Sequence, residues 1–370
     1  MKFRSHRGIT EVIFSMENLL DSDQYDFDFD NDIFIIDKNI KSLFFSTFSL
    51  GKSNIKNIYL IDPSEESKDI KFTTELIAEI LLAKNTPKKI ISFGGGIIQD
   101  VSGFCSSLIR RGIDWIFIPT SLLAMADSCI GSKISINVNA SKNQIGLFYP
   151  PKYVIIITKL LKTLPHKEYL SGAGDILHYA LQEERISEIY QEILPSLFMK
   201  FDELKVLKVI KKTLAIKKFF IEKDEFDKSI RKSLNLGHSF GHAIEKASDF
   251  KIPHGIAVII GCSLAYNYSL RVKLIEKSFI NDHISLINKL LVESHKYWGN
   301  IYINLEALTL GLKKDKKNKN PQNLTLILPM IKNHKFQISP YEQKTEEIIK
   351  FIKFFLNNLK ESFEISKLKI

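Results

Sequence analysis

Cysteine is scarce in this chain of 370 residues: Cys105, Cys129 and Cys262 lie far apart, and none belongs to a C-x-x-C pair. That spacing offers neither a disulfide framework nor a thiolate metal site, so the three are expected as small buried residues in a reducing compartment. No run reaches the roughly eighteen apolar residues of a membrane span. The opening Met1-Lys2-Phe3-Arg4-Ser5-His6-Arg7 is basic, but neither an apolar core nor a small-residue cleavage site comes after it. A cytoplasmic protein without membrane contact is expected. The net charge of +10 comes from lysines scattered among acids. The densest cluster, residues 313–319, has no interleaved aromatics and no recognisable binding module, which argues against a nucleic-acid partner.

What the chain does have is an ordinary globular composition, 45% hydrophobic and 25% charged, with length enough for two cores. Short apolar runs at 32–37, 57–61 and 89–93 alternate with a helical pattern at 72–84 that carries Leu76, Ile77, Ile80, Leu81 and Leu82. This predicts β-α-β-α-β and a parallel sheet with crossover helices. The third run enters Gly94-Gly95-Gly96 and then a helix. Backbone without Cβ atoms can approach a pyrophosphate, and free amides at a helix start favour an anion, so a dinucleotide is a candidate ligand. The spacing is not G-x-G-x-x-G, and three glycines also occur in plain turns. Residues 115–118 form another buried strand, stopped by Pro119. Residues 127–133 and 141–146 read as turn-rich segments bearing Asp127, Lys133, Lys142 and Asn143, residue types suited to phosphate and hydroxyls. Past Leu164 helical patterns take over, and only 324–328 looks extended. The expected organisation is an α/β domain over 1–164 and a mainly helical domain over 165–370, ending in an amphipathic helix at 345–359.

Of nine histidines, three fall at His238, His242 and His254. The first two share a helix face, and the third lies where a helix and a short return loop can bring it back. Neutral imidazole suits a divalent ion such as zinc, and catalytic zinc typically takes three protein ligands with one position left open. H-x-x-x-H also occurs on plain helices. Asp175, in Gly172-Ala173-Gly174-Asp175, adds a carboxylate that a helix would carry inward beside Tyr179.

Taken together these stretches resemble the 3-dehydroquinate synthase family of sugar phosphate cyclases, from about residue 37 to 328. The glycine run with Asp100, Arg111-Gly112 through Pro119-Thr120, the Asp127 to Lys133 segment, Lys142-Asn143 with Phe148-Tyr149, and the histidine stretch occur in the family's order. The resemblance implies a Rossmann-like NAD domain followed by a helical metal- and substrate-binding domain. It places the metal, zinc or alternatively cobalt, on Asp175, His238 and His254, and moves His242 to the substrate. NAD contacts would fall on Asp37, Asn39, Glu65, Lys68, Gly95, Gly96, Asp100, Thr120, Ser121 and Thr163, with Asp127, Lys133 and Lys142 beside them. Catalytic and substrate contacts would fall on Asp127, Lys133, Lys142, Asn143, Lys217, Arg231, Asn235, His242 and Lys316, with Arg111 supplied by the second subunit of a homodimer. The implied reaction turns 3-deoxy-arabino-heptulosonate 7-phosphate, a seven-carbon sugar acid phosphate, into 3-dehydroquinate and phosphate by transient oxidation, as in the shikimate route to aromatic amino acids. Four positions depart from the family pattern: Asp175 and Asp227 replace Glu, His178 replaces Lys and Ser121 replaces Thr. Three alternatives stay open: a cyclase for sedoheptulose 7-phosphate, a metal- and NAD-dependent polyol dehydrogenase, and a non-catalytic relative.

Overall fold

Strands too apolar to face water on either side dictate the first half of the molecule. The computed structural model describes residues 1–15, 27–48, 57–82, 87–139, 141–315, 317–318, 320 and 322–367, with side chains through 359. It divides into two compact units. The first, Met1–Leu164 with Lys217–Glu225, contains in order β1 (Lys2–Ser5), β2 (Gly8–Ser15), β3 (Ile33–Asp37), α1 (Lys41–Thr47), β4 (Ile58–Ile61), α2 (Ile70–Leu82), β5 (Lys89–Gly94), α3 (Gly96–Leu108), β6 (Asp114–Pro119), β7 (Lys133–Val138), β8 (Ser141–Phe148) and β9 (Tyr153–Ile157). Seven of these form one sheet in the order β1-β2-β9-β6-β5-β3-β4, parallel except for the β1–β2 hairpin. Ile35, Ile36, Ile90, Phe93, Phe117 and Ile155 are fully buried, as strands covered on both faces must be.

The second unit, Pro165–Ile216 with Phe226–Ile370, holds α4 (His166–Ala180), α5 (Leu194–Met199), most of α6 (Glu203–Lys223), α7 (His238–Ala247), α8 (His254–Arg271), α9 (Asn281–Ser294), α10 (Leu305–Lys313), a hairpin of β10 (Asn323–Lys332) and β11 (Lys335–Lys344), and α11 (Thr345–Lys367). Its core is α8, buried from Gly255 through Tyr266. Glycine lets two other helices lie against it. A Cβ on Gly255 would sit 1.8 Å from the Ser171 carbonyl oxygen of α4, and one on Gly261 would sit 2.1 Å from the Gly237 carbonyl at the start of α7. No larger residue permits either approach.

Besides β1, β2 and β9, which none of the apolar runs above marks out, three features differ from the sequence expectation. Residues 217–225, the end of α6 together with Asp224 and Glu225, belong to the first unit rather than to a continuous 165–370 domain. The turn-rich segments at 127–133 and 141–146 lead into and form part of the β7–β8 hairpin. Most of β8 is exposed, so it carries no apolar alternation to announce a strand. For the same reason β11, largely solvent-facing and paired on one side, leaves no signal, whereas its buried partner β10 was legible at 324–328. All three cysteines are buried, and burial pushes the Cys129 thiol up to about 12.

Candidate functional site

The chain order of the first unit's strands reverses between β3 and β5. From β3 it steps outward to β4, then returns to β5 on the other side of β3. In open parallel sheets such a switch point leaves a crevice beyond the carboxyl ends of the strands, where ligands bind. Three of the expected NAD positions lie at or just past strand ends there. Asp37 closes β3, one residue past the Ile36–Phe93 pair, and Gly95 comes directly after Gly94 of β5. Thr120 comes directly after Pro119 of β6 and donates its N–H to the Gly94 carbonyl at 3.0 Å. Gly95 has φ −87° and so needs no glycine for its backbone. A Cβ there would meet nothing nearer than Ser121 Oγ at 3.5 Å, and one on Gly96 nothing nearer than Ser128 Oγ at 4.0 Å. The protein does not fill the cradle these glycines leave at the start of α3, which fits a ligand approaching the backbone.

Beside that edge a polar network ties together Glu65, Lys68, Asp100, Lys142 and Asn143. Lys68 pairs with the Asp100 carboxylate and donates to Asn143 Oδ1 at 2.8 Å. Lys142 donates to Glu65 Oε1 at 2.7 Å. Two residues that sequence reasoning missed join them. The Asn137 amide donates to Glu65 Oε2 at 2.7 Å and accepts from the Asn143 N–H at 2.9 Å, and the Ser135 N–H donates to Asp100 at 3.1 Å. The backbone explains the meeting: Asn137 N–H donates to the Lys68 carbonyl at 2.8 Å, fastening β7 to the loop before α2. Burial pushes the Asp100 carboxyl above its ordinary value, opposed by the Lys68 ammonium. Glu65 is also raised by burial, but hydrogen bonds from Lys142 and Asn137 outweigh that and leave it below the usual carboxylate range. In the same unit, Lys217 reaches both the Asp127 carbonyl, at 2.6 Å, and its carboxylate, at 2.9 Å.

In the second unit Asp175 of α4, His238 of α7 and His254 of α8 present ligand atoms that all lie within 4.8 Å of one another. Interlocked glycines on α4 and α8 create the meeting: a Cβ on Gly255 would also strike Asp175 Oδ2 at 2.8 Å. His254 Nε2 stands 3.6 Å from Asp175 Oδ1. Two ligands each about 2.1 Å from a tetrahedral ion are about 3.4 Å apart, so this edge suits zinc or an ion of similar size. Ring orientation fits as well. His238 Nδ1 lies 3.2 Å from the Leu236 carbonyl, which can only accept, so the proton sits on Nδ1 and Nε2 keeps its lone pair. Burial first, then the imidazoles of His178, His242 and His254, hold His238 well below the usual histidine value, in the neutral form a metal requires. His254 Nδ1 faces Glu245 Oε2 at 3.2 Å. His242, Glu245 and His254 make a second group that meets the same distance limit. Buried His178, one helical turn past Asp175, puts its ring edge-on to His238 at 4.8 Å between centroids.

The remaining expected residues are scattered through both units. Arg231 is buried in the tight turn Ile230–Asn235, where Asn235 Nδ2 donates to the Lys232 carbonyl at 3.1 Å. Asn39 donates its N–H to Asp37 at 2.9 Å, and Thr163 Oγ1 donates to the Leu160 carbonyl at 3.1 Å. Lys133 is exposed at the start of β7. Arg111 lies in a strained turn with φ +66°, between Arg110 at +51° and Gly112 at +120°. Lys316 lies outside the described residues, but its neighbour Lys317 donates to Ser239 Oγ, next to His238, at 2.8 Å. Glu245 was within reach of sequence reasoning, being a carboxylate one turn past His242 on the same face. Asn137 and Ser135 had no such signal, because the hairpin that carries them was not foreseen.

The architecture is a Rossmann-like parallel-sheet unit followed by a mainly helical unit that carries an Asp-His-His set. Models described as 3-dehydroquinate synthase N-terminal and 3-dehydroquinate synthase C-terminal match residues 58–171 and 172–318. The 3-dehydroquinate synthase of Alkaliphilus metalliredigens (strain QYMF) is 35% identical over 306 residues, covering 81% of this chain and 84% of the relative. The chain belongs to the 3-dehydroquinate synthase family, whose synthases are carbon–oxygen lyases. Two solved structures share the fold. A 2-deoxy-scyllo-inosose synthase complexed with carbaglucose-6-phosphate, NAD+ and Co2+ is 23% identical, with TM-score 0.81 over 95% of this chain and 98% of that one. The 2-epi-5-epi-valiolone synthase from Streptomyces hygroscopicus subsp. jinggangensis 5008, with NAD+ and Zn2+ bound, is 21% identical, with TM-score 0.77 over 94% and 97%. Among the described residues no helix is long and apolar enough to cross a membrane.

Proposed function

We propose that this chain is a 3-dehydroquinate synthase, converting 3-deoxy-arabino-heptulosonate 7-phosphate to 3-dehydroquinate and phosphate with NAD and one divalent ion, zinc by preference. The observation that carries the reading is the convergence of Asp175, His238 and His254 in a chain with a 35% identical relative of that name. When bound, NAD would take up and return a hydride, and the ion would supply a Lewis acid for the oxygen being oxidised. The chain's own residues position and neutralise. Asp37, Asn39, Gly95, Gly96, Thr120, Ser121 and Thr163 would seat the dinucleotide, with Glu65, Lys68 and Asp100 beside it. Lys133, Asn143, His242 and Lys316 would hold the phosphate, stabilising charge rather than forming covalent bonds. Arg231 and Lys217 would meet the carboxylate. Guanidinium suits that task because it grips a carboxylate through two parallel hydrogen bonds and stays charged at any working pH. Arg111 would act from the partner of a homodimer.

The acid is favoured over sedoheptulose 7-phosphate because of Arg231. A charge-assisted contact is worth roughly 1.5 to 3 kcal/mol, so Arg231→Leu should cost at least about tenfold in kcat/KM with the acid and much less with a sugar lacking the carboxylate. Product analysis of the purified protein with NAD, zinc and each sugar phosphate tests the whole reading. The expected result is phosphate and 3-dehydroquinate from the acid without accumulation of NADH. Turnover of sedoheptulose 7-phosphate but not of the acid would contradict the substrate, and net NADH would favour a polyol dehydrogenase instead.

A further inference from the structure

Glu245 belongs to none of the ligand or substrate positions above, yet its carboxylate lies 3.2 Å from Nδ1 of His254 and is largely buried. A carboxylate at that distance accepts a hydrogen bond from the ring N–H, which places the hydrogen on Nδ1. A neutral imidazole has one such hydrogen, so Nε2 keeps its lone pair on the side facing Asp175 Oδ1, 3.6 Å away. Glu245 and His238 share α7, so one helix supplies both an ion ligand and the group that aims the ligand of α8.

We infer that Glu245 is a positioning residue for the ion, fixing the tautomer and angle of His254 so that Nε2 completes the set with Asp175 and His238. This rests on the metal reading of that set. It also decides between two arrangements the side chains offer. His242, Glu245 and His254 lie close enough to hold a cation of their own. A cation shared by Glu245 and Nδ1 of His254 would need a lone pair on Nδ1, which a neutral ring donating to Glu245 from that nitrogen does not have. The geometry therefore assigns one ion per chain, with Glu245 outside its coordination shell.

The test is Co2+ titration of the metal-free wild type and of Glu245→Gln and Glu245→Ala, followed by visible absorption and by metal analysis after dialysis, with circular dichroism to confirm folding. One Co2+ per chain is expected in the wild type. Glu245→Ala should bind about 10- to 100-fold more weakly, with an altered cobalt spectrum, as measured losses of such supporting groups go. Glu245→Gln keeps an accepting oxygen and should lose less. Wild-type affinity and spectrum in Glu245→Ala would overturn the inference while leaving the Asp175, His238 and His254 site standing. Two ions in the wild type, with only the second lost in Glu245→Ala, would overturn it in favour of the second site. No binding by the wild type would remove the metal reading as well. Should Glu245→Ala not fold, ring nitrogen chemical shifts of 15N-histidine in the metal-free wild type decide: hydrogen on Nδ1 of His254 supports the inference, and hydrogen on Nε2 overturns it.

Discussion

The two clusters of candidate site residues solve opposite electrostatic problems. At the carboxyl edge of the first unit's sheet, charges of opposite sign already meet: Lys68 with Asp100, Lys142 with Glu65, and Lys217 with Asp127. In the second unit, electron-pair donors converge from three helices, with His254 Nε2 3.6 Å from the Asp175 carboxylate and His238 held neutral. The first arrangement keeps its shape through its own ion pairs and leaves room over the glycines. The second is pressed together by helix packing and gains most from a cation. Rigidity thus comes from polar pairing in one place and from glycine contacts in the other.

The strongest way to break that contrast is Gly255→Ala. The new Cβ would lie 1.8 Å from a backbone oxygen of α4, so α4 and α8 must separate and carry Asp175 away from His254. A loss above about 4 kcal/mol in denaturant unfolding is expected, together with loss of bound metal. An unchanged unfolding midpoint would show that glycine packing does not set the site. Lys68→Met should be milder. It leaves Asp100 without its cation and should cost about 1.5 to 3 kcal/mol, while zinc affinity stays at the wild-type level. Weaker zinc binding in that variant would blur the contrast. Gly95→Val sharpens it: the position has φ −87° and an open side, so stability should change by less than about 1 kcal/mol while NAD affinity, read by calorimetry, is lost. Retained NAD affinity would remove the dinucleotide from this edge.

The smallest expected effect is on pH dependence. The folded value of His238 is depressed and an unfolded histidine titrates near 6.5, so the unfolded chain takes up a proton that the folded chain refuses. Stability of the metal-free protein should be full above about pH 6.5 and fall as pH drops below it. His238→Gln should flatten that slope in unfolding curves recorded between about pH 7 and 5; a slope unchanged by the substitution would mean that other groups carry it.

Legibility from sequence followed burial around the switch point but not everywhere, since the buried run of β9 at 153–157 was not singled out. The buried strands around the switch point announced themselves as apolar runs, and the glycine turn stood out where β5 ends. The β7–β8 hairpin did not, because its outer strand faces water, and Asn137 and Ser135 were missed with it. In the second unit the histidine spacing was visible but ambiguous, since periodicity puts His238 and His242 on one face without saying which nitrogen points where. Asp175 could be matched to them only through the family resemblance. What brings it to His254 is the contact of Gly174 with Gly255, and no local pattern encodes a meeting between distant segments of chain.

Hydrogen exchange of the wild-type protein with zinc alone and with NAD alone tests the division most directly. Zinc should slow exchange around Asp175, at the start of α7 and at the start of α8, and leave the amides of Gly95 and Gly96 unchanged. NAD should slow Gly95, Gly96 and the residues just past β3 and β6. If zinc instead protects the network around Lys68 and Asp100, or leaves the starts of α7 and α8 exchanging as before, the metal does not bind at Asp175, His238 and His254 and the central claim fails.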